Sequence, residues 1–264
     1  MEEPLPRPIF DDEYDDYLSD SPYGPQGWFD RWVSDGLITE VLMPLKSGKE
    51  ASVYLCRAVP SNTGAELLAA KVFKPRQSRG FKDRSAYRHG IVILNGHDRR
   101  AFEAKTKYGR QFDEAVWRNH EYETLSALSE AGADVPKPVA SAEDGILMQY
   151  VGDREAPAPQ LRNLTLDAPE ARRVFDRLMW NVELFLSRNL VHADLSPYNV
   201  LLWEGRVTVI DLPQAVDPRT NMNSRSLLLR DVDNLCRFFA RFGIRADAQR
   251  ITNDLWRRFV FAKL

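Results

Sequence analysis

The sequence predicts an α+β fold, with an antiparallel sheet in the N-terminal half and a mainly helical C-terminal half. Short β-prone runs separated by Gly-bearing turns occur at residues 40–58 and 67–73, and a tight hairpin is predicted at 199–210. Helical periodicity extends over residues 113–130 and 167–188. With 264 residues, 44% hydrophobic and 28% charged, the chain can form one large domain or two lobes around a sizeable core.

Composition excludes several protein classes. The net charge of −2 argues against a generic nucleic-acid binder. Cys56 and Cys236 lie far apart in apolar surroundings and the four histidines are scattered, so neither a disulfide framework nor a zinc motif is indicated. No apolar run approaches the ~20 residues of a membrane span. The acidic, Pro-containing N-terminus is unlike a signal peptide. These features predict a cytoplasmic protein with no membrane partner.

Three regions are predicted along the chain. Residues 1–26 are acidic and lack periodicity, so they are expected to form a disordered tail. Residues 27–148 are expected to form an N-terminal helix and an N-lobe, with a basic insertion at residues 76–110. Residues 149–264 are expected to form a C-lobe with the hairpin at 199–210.

The first predicted hairpin, residues 40–58, has a turn that contains Ser47, Gly48 and Lys49. A Gly-bearing turn between strands can lie over phosphate groups and offer them backbone N–H donors, to which Ser47 and Lys49 can add side-chain contacts. The turn is neither a G-x-G-x-x-G loop nor a Walker A sequence. A plain hairpin turn is therefore an equally good interpretation.

Lys71 lies inside the apolar run 67–73, which predicts a strand. A lysine in such a strand is costly unless it is paired or reaches the surface. The predicted helix at 113–130 offers Glu121 on its expected buried side, with Glu123 as the alternative. The helix predicted at 167–188 begins with an N-cap Asp and a Pro in its first turn.

The stretch NLVHADLSPYNVLLWEGRVTVIDLPQAV, residues 189–216, places polar groups at particular spacings. Two β-prone runs flank Glu204-Gly205 and predict a tight hairpin. Asn199 opens the first strand, Asp211 closes the second, and Asp194 lies on the loop that enters it, so the three are expected to converge. Each alone could be a turn residue. The joint pattern H-x-D-x-x-x-x-N followed by Ile-Asp is much harder to obtain by chance.

This combination suits phosphoryl transfer from ATP, which needs a carboxylate to orient the acceptor hydroxyl and oxygen ligands for Mg²⁺. Asp194 fits the first role, and Asn199 and Asp211 fit the second. His192 is expected to brace the loop, with core packing as an equal alternative.

The remaining ATP contacts are expected in the first half of the chain. Lys71 would contact phosphates and pair with Glu121. ILMQYVGD, residues 146–153, predicts a buried strand that connects the lobes, where Tyr150 and Val151 would meet the adenine. Met148 would stand at the back of this pocket, although a Met in a strand is ordinarily part of the core.

Six motifs carry a resemblance to a known family: SGKEASVY (47–54), AAKVFK (69–74), FKDRSAYRHG (81–90), WRNHEYETL (117–125), LVHADLSPYNVLL (190–202) and IDLPQAV (210–216). In these the chain resembles the RIO family of atypical serine/threonine protein kinases, nearest to the Rio1-like branch and its bacterial relatives. The chain has no H-R-D or D-F-G, and no A-P-E after Asp211, which matches the RIO pattern and indicates that the usual peptide-docking platform is missing. No winged-helix pattern precedes Ser47, which disfavours the Rio2-like branch.

The resemblance implies a bilobal protein-kinase-like fold, with ATP and Mg²⁺ (Mn²⁺ as an alternative) between the lobes. It implies an ATP- and Mg-dependent serine/threonine kinase that autophosphorylates, with Asp194 as catalytic base and Val53 among the ATP-binding residues. Asp211 matches the metal-binding Asp that, in the family, becomes an aspartyl-phosphate during ATPase turnover, so it also counts as catalytic. Eukaryotic members act in small ribosomal subunit maturation, which makes the ribosome a candidate partner.

Two alternatives stay open. A small-molecule phosphotransferase of the aminoglycoside or choline kinase type also carries H-x-D-x-x-x-x-N, but usually lacks SGKEA and FKDR. An ATP-regulated ribosome assembly factor is the second alternative.

Residues 71–110 carry twelve Lys or Arg against three acidic residues, so this segment is expected to contact ATP phosphates or an acidic partner such as RNA, or to be a solvated loop. The protein substrate is not indicated.

Overall fold

The structure is a computed structural model that describes residues 25–48, 50–74, 120–142 and 145–264. These residues form two compact units. The first contains the described residues from 25 to 74 and from 138 to 157, and the second contains residues 120–137 and 158–264. The predicted organisation has a single lobe boundary after residue 148, whereas residues 149–157 belong to the first unit and residues 120–137 to the second.

The first unit is built on a five-stranded antiparallel sheet with the strand order β1-β2-β3-β5-β4. The strands are β1 (Ile38–Ser47), β2 (Ala51–Ala58), β3 (Leu67–Phe73), β4 (Pro138–Ala142) and β5 (Gly145–Gln149), and the helices are α1 (Pro25–Ser34) and the single-turn α2 (Pro60–Thr63). The first hairpin and the Lys71 strand are confirmed. The edge strand β4, which begins with a proline, was not predicted.

The strand predicted at residues 146–153 is shorter than expected. β5 ends at Gln149, and Gly152 instead forms an isolated bridge to Pro157 with a φ of 139°. A φ of 139° is far from the roughly −140° of an antiparallel strand, so Gly152 cannot continue the β5 ladder.

The two faces of the sheet differ in what covers them. One face packs against α1 through an apolar cluster that includes Phe29, Trp32, Tyr54, Leu68 and Leu147. Phe29 and Tyr54 meet edge to face, with ring centroids 5.5 Å apart. The opposite face carries Leu55, Ala69 and Tyr150, with Val53 and Met148 packed beside them.

The second unit is mainly helical. Its elements are α3 (helical throughout 120–130), a 3-10 turn (Leu161–Asn163), α4 (Ala168–Ser187), β6 (Val200–Trp203), β7 (Arg206–Val209), α5 (Ser224–Ala240) and α6 (Ala248–Val260). α4 begins as predicted, because the Asp167 carboxylate accepts the Glu170 backbone N–H at 2.7 Å. α4 and α5 pack through Phe175 and Phe239, whose centroids are 5.4 Å apart. Among the described helices, none is both long and apolar enough to cross a bilayer.

The second hairpin, β6–β7, has the predicted turn. Glu204 and Gly205 have φ values of 48° and 74°, the left-handed pair of a type I′ turn. Val200 pairs with Val209, so each strand is one residue shorter than predicted. Ile210, and not Asp211, therefore lies opposite Asn199, and its N–H donates to the Asn199 carbonyl at 2.9 Å.

Candidate active site

The loop that leads into β6 holds two of the three predicted polar residues together. Asn199 Nδ2 donates to the Asp194 carbonyl at 3.0 Å and to its carboxylate Oδ2 at 3.2 Å. These bonds orient the amide so that Asn199 Oδ1 is the atom that can serve a cation. Asn199 is buried and Asp194 is exposed. The loop therefore presents the Asp194 carboxylate to solvent while the buried Asn199 holds its backbone in place.

Asp211, the third predicted residue, follows this hairpin and is exposed. Its φ of 70° is left-handed, an uncommon conformation for a residue with a side chain. The Asp211 carboxylate and Asn199 Oδ1 are hard oxygen donors of the kind that Mg²⁺ takes, and Mg²⁺ keeps its other positions for phosphate oxygens and water. The donor set therefore fits the predicted metal.

His192 joins the loop to the end of β7, in agreement with its predicted bracing role. Its Nε2 contacts the Ile210 carbonyl at 3.2 Å, and the Asp194 backbone N–H donates to its Nδ1 at 3.3 Å. Both bonds are satisfied by the neutral ring protonated at Nε2. Burial lowers the pKa of His192, although the hydrogen bond to Ile210 and the nearby acids raise it.

Asp231, on α5, was not identified from the sequence, yet it determines the backbone path around Asp194. Its Oδ2 accepts the Ala193 N–H at 2.8 Å and its Oδ1 accepts the Leu195 N–H at 2.9 Å. Asp231 is only 1% exposed. Burial raises the pKa of Asp231 to about 7, against the lowering effect of the two N–H donors. Ala193 itself has a φ of 65°, so this carboxylate stabilises a strained backbone.

Two neighbours of Asp231 on α5 complete this support. Arg230 Nη2 donates to the Ala193 carbonyl, and Asn234 Nδ2 donates to the Leu195 carbonyl at 2.9 Å. The sequence does contain a sign of this support. Asp231 lies among apolar residues of α5, and a carboxylate buried there needs hydrogen-bond partners.

A second support, also missed, comes from the segment before α4. The Arg162 N–H donates to the Pro197 carbonyl at 3.1 Å, and Gln160 Nε2 donates to the Tyr198 carbonyl at 2.8 Å. The Arg162 guanidinium lies 4.4 Å from the centroid of the Tyr198 ring. The loop is therefore held on one side by α5 and on another by the 3-10 turn.

In the first unit, Lys71 lies in the middle of the sheet. It pairs with Val53 on β2 and with Ile146 on β5, and is 8% exposed. Two residues earlier on β3, on the same face of the sheet, Ala69 pairs with Met148 on β5. Because paired residues point to the same side, Lys71, Val53 and Met148 share the face that α1 leaves uncovered.

The predicted phosphate-binding turn is closed by its own backbone, because the Gly48 N–H donates to the Ala51 carbonyl at 2.9 Å. Ser47 Oγ lies 3.1 Å from Ser52 Oγ and accepts from Lys74 Nζ at 2.9 Å. Lys74, which was not predicted, thus joins Ser47, and burial lowers its pKa. Lys49 lies outside the described residues.

The predicted adenine-contacting residues follow β5. Tyr150 is buried, and its burial, together with Asp153, raises its pKa to about 12. Val151 is half-buried. In the second unit, Glu121 is buried in α3 whereas Glu123 is exposed. This agrees with the prediction that Glu121 lies on the buried side of the helix. Its pairing with Lys71 stays a prediction.

Comparisons with known proteins agree with these features. Residues 52–251 match the family model described as the RIO domain. The chain is 32% identical over 189 residues to the RIO-type serine/threonine-protein kinase Rio1 of Thermoplasma acidophilum, covering 72% of this chain and 93% of that one. It is 30% identical over 212 residues to the serine/threonine-protein kinase rio1 of Schizosaccharomyces pombe, covering 79% of this chain but only 40% of that protein.

The fold is also found in solved structures. The Rio2 kinase–ADP/Mg²⁺–phosphoaspartate complex from Chaetomium thermophilum has a TM-score of 0.60 at 18% identity, covering 86% of this chain and 66% of that one. The predicted bilobal kinase-like fold is thereby confirmed. Neither the small-molecule phosphotransferase nor the non-enzymatic assembly factor is favoured. The chain belongs to the RIO-domain family of ATP-dependent serine/threonine protein kinases.

Proposed function

We propose that this chain transfers the γ-phosphoryl group of ATP to a serine or threonine hydroxyl, with Asp194 as the catalytic base. The observation that carries the proposal is the loop in which an exposed Asp194 is held by Asn199 and, through its neighbours, by Asp231. The acceptor proton passes to the Asp194 carboxylate, the acceptor oxygen bonds to the γ-phosphorus, and the bond to the β–γ bridging oxygen breaks to release ADP.

Mg²⁺ supplies charge neutralisation on the phosphates when it is bound. Asn199 Oδ1 and the Asp211 carboxylate would hold it. Mn²⁺ prefers the same oxygen ligands and is the alternative metal.

The first unit is proposed to bind the nucleotide. Lys71 would bind phosphate with Glu121 as its partner, and the base would lie against the sheet face opposite α1. The residues assigned to ATP are Ser47, Gly48, Lys49, Val53, Lys71, Glu121, Met148, Tyr150 and Val151. Lys74 joins this set because it donates to Ser47.

A second activity, ATP hydrolysis through an aspartyl-phosphate on Asp211, is supported by two observations. Asp211 is exposed in a left-handed conformation, and the solved Rio2 complex contains a phosphoaspartate together with ADP and Mg²⁺. In this reaction an Asp211 carboxylate oxygen attacks the γ-phosphorus, ADP leaves, and water then releases inorganic phosphate.

The test is incubation of the full chain with γ-labelled ATP and Mg²⁺, followed by hydroxylamine treatment. Label that resists hydroxylamine reports phosphoserine or phosphothreonine, and label that hydroxylamine removes reports acyl phosphate. Asp211→Ala should lose both kinds of label and weaken Mg-ATP binding, whereas Asp176→Asn, at an exposed site on α4, should behave as wild type. Unchanged Mg-ATP affinity in Asp211→Ala would refute the metal assignment.

A further inference from the structure

Tyr198 stands out within the loop because it is 56% exposed, while both of its neighbours, Pro197 and Asn199, are buried. It lies immediately before the proposed metal ligand and four residues after the proposed base. A single exposed aromatic residue is normal on a protein surface, so the position of Tyr198 beside the proposed site, and not its exposure alone, indicates a role. The phosphoryl transfer proposed for Asp194 does not use this ring.

Arg162 is pre-organised beside this ring. Its guanidinium stacks over Tyr198, its Nε donates to Gln160 Oε1 at 2.8 Å, and its backbone is bonded to the loop. Within the described part of the chain, no carboxylate forms an ion pair with Arg162, unlike Arg154, Arg177 and Arg219. A fixed arginine on the loop that carries the proposed base, whose outer N–H donors bond to nothing else in the described part of the chain, is suited to bind an anion.

Resting on the proposed kinase function, we infer that Arg162 and Tyr198 form an acceptor-recognition surface that selects serines with an acidic residue nearby. Arg162 pairs with the acidic side chain, and the outer face of the Tyr198 ring packs against the acceptor backbone. Because Arg162 contacts the same loop that carries Asp194, and an extended chain advances only ~3.3–3.6 Å per residue, the acid is expected close in sequence to the acceptor hydroxyl.

A peptide fits this surface better than RNA does. Proteins that bind single-stranded nucleic acids line a cationic groove with several aromatic side chains, one for each successive base, whereas this surface consists of the Tyr198 ring and the Arg162 guanidinium stacked on it. A single guanidinium also matches one carboxylate better than a phosphate backbone, which requires several cations along its length.

The chain itself contains such an acceptor sequence. Residues 11–24, DDEYDDYLSDSPYG, place Ser19 and Ser21 on either side of Asp20 and after further acidic residues. A synthetic peptide of this sequence is therefore the probe. The comparison peptide carries Asn and Gln at the acidic positions, and a third carries lysines there.

The measured quantity is the ratio of kcat/KM for the acidic peptide to that for the neutral one, because a general loosening of the loop lowers both and leaves the ratio unchanged. Wild type should prefer the acidic peptide roughly 5-fold, as an exposed ion pair allows. Arg162→Ala should abolish the preference and Arg162→Glu should transfer it to the lysine peptide. Arg162→Lys, which keeps the charge but loses the planar guanidinium that stacks on Tyr198, should retain only part of the preference. Tyr198→Ala should reduce the ratio, because the Arg162 guanidinium is no longer held in place by the Tyr198 ring.

Arg241→Ala is the matched control. Arg241 also stacks on an aromatic ring, with its guanidinium 5.2 Å from the Phe238 centroid, but it lies ten residues beyond Asp231, about 15 Å along α5. This variant should keep the wild-type ratio.

A wild-type ratio of one, or an unchanged ratio in Arg162→Glu, overturns the inference and leaves the kinase function standing. Binding of a single-stranded RNA oligomer that Arg162→Glu abolishes, with an unchanged peptide ratio, also overturns it. Failure of the wild type to label any peptide or itself refutes the proposed function.

Discussion

At the scale of single residues, Asp231 decides the geometry of the proposed base. Both of its oxygens accept loop N–H groups, one on each side of Asp194. Asp231→Asn replaces one acceptor by an NH₂ group that faces an N–H donor. We expect a rate loss of roughly 10- to 100-fold, as for other small displacements of reacting groups. Single-turnover transfer at saturating Mg-ATP measures it, and an unchanged rate would show that Asp231 does not position the loop.

Asp231 also predicts a pH dependence of stability. Its pKa rises from the ordinary value of 3.8 to about 7 in the folded protein, so the folded state holds a proton that the unfolded state has lost. The contribution of this group to stability is full below pH ~4 and is lost as the pH rises through ~7. The free energy of unfolding of wild type minus that of Asp231→Asn should therefore fall between pH ~4 and ~7. Denaturant titrations over this range check it, and a difference that rises with pH would contradict the assignment.

Gly48 allows the phosphate role of the first turn to be separated from its structural role. A Cβ added there would meet its nearest atom, the Ala51 carbonyl oxygen, at 3.4 Å, so the fold tolerates Gly48→Ala. If phosphates approach this backbone, Gly48→Ala should raise the KM for ATP several-fold and leave Tm unchanged. Gly145→Ala is the contrast, because its Cβ would lie 2.7 Å from the Lys71 carbonyl oxygen and should lower Tm as well. An unchanged KM for ATP in Gly48→Ala would remove the turn from the site.

At the scale of elements, a polar network joins α4, the segment after α3 and the hairpin. Asn181 Oδ1 accepts the Asp134 N–H at 2.8 Å, and its Nδ2 donates to the Asp134 carboxylate at 2.6 Å. The Asp134 carbonyl in turn accepts the N–H of Val209, the last residue of β7, at 2.7 Å.

Asn181→Ala leaves the half-buried Asp134 N–H without its acceptor and the Asp134 carboxylate without one of its donors, so we expect a loss of ~1–3 kcal/mol in the free energy of unfolding. Asn253→Ala, at an exposed site on α6, should cost much less. Chemical denaturation of both variants distinguishes them. Equal losses would mean that the network contributes little beyond surface hydrogen bonds.

The elements with strong local signals could be predicted from the sequence. The turn of the second hairpin followed from Glu204-Gly205, and the start of α4 followed from Asp167. Asp194 and Asn199 were predicted to converge because their spacing on a loop and strand is short. Asp231 and Arg162 could not be found in this way, because they reach the loop from distant positions in opposite directions along the chain. Tertiary contacts of that kind leave only a weak trace in local sequence patterns.

At the scale of the whole molecule, charge is distributed very unevenly. Residues 71–110 carry an excess of nine positive charges, so the remainder must carry about −11 for the total of −2. Most of this segment lies outside the described residues, and its role stays a prediction. Neutralising Arg76, Arg79, Lys82 and Arg84 should raise the KM for ATP if the segment binds phosphates. If it binds RNA instead, ATP kinetics should be unchanged and the salt dependence of RNA binding should flatten.

The proposed mechanism depends above all on Asp194 taking the proton of the acceptor while other residues bind Mg-ATP. The most direct test is the single-turnover rate of γ-phosphoryl transfer by Asp194→Asn at a Mg-ATP concentration shown by calorimetry to saturate the variant. The side chain stays similar in size but can no longer accept the proton as a carboxylate. We predict a rate lower by roughly 10²–10⁴, with Mg-ATP affinity close to that of wild type. A wild-type rate in saturated Asp194→Asn would contradict this mechanism.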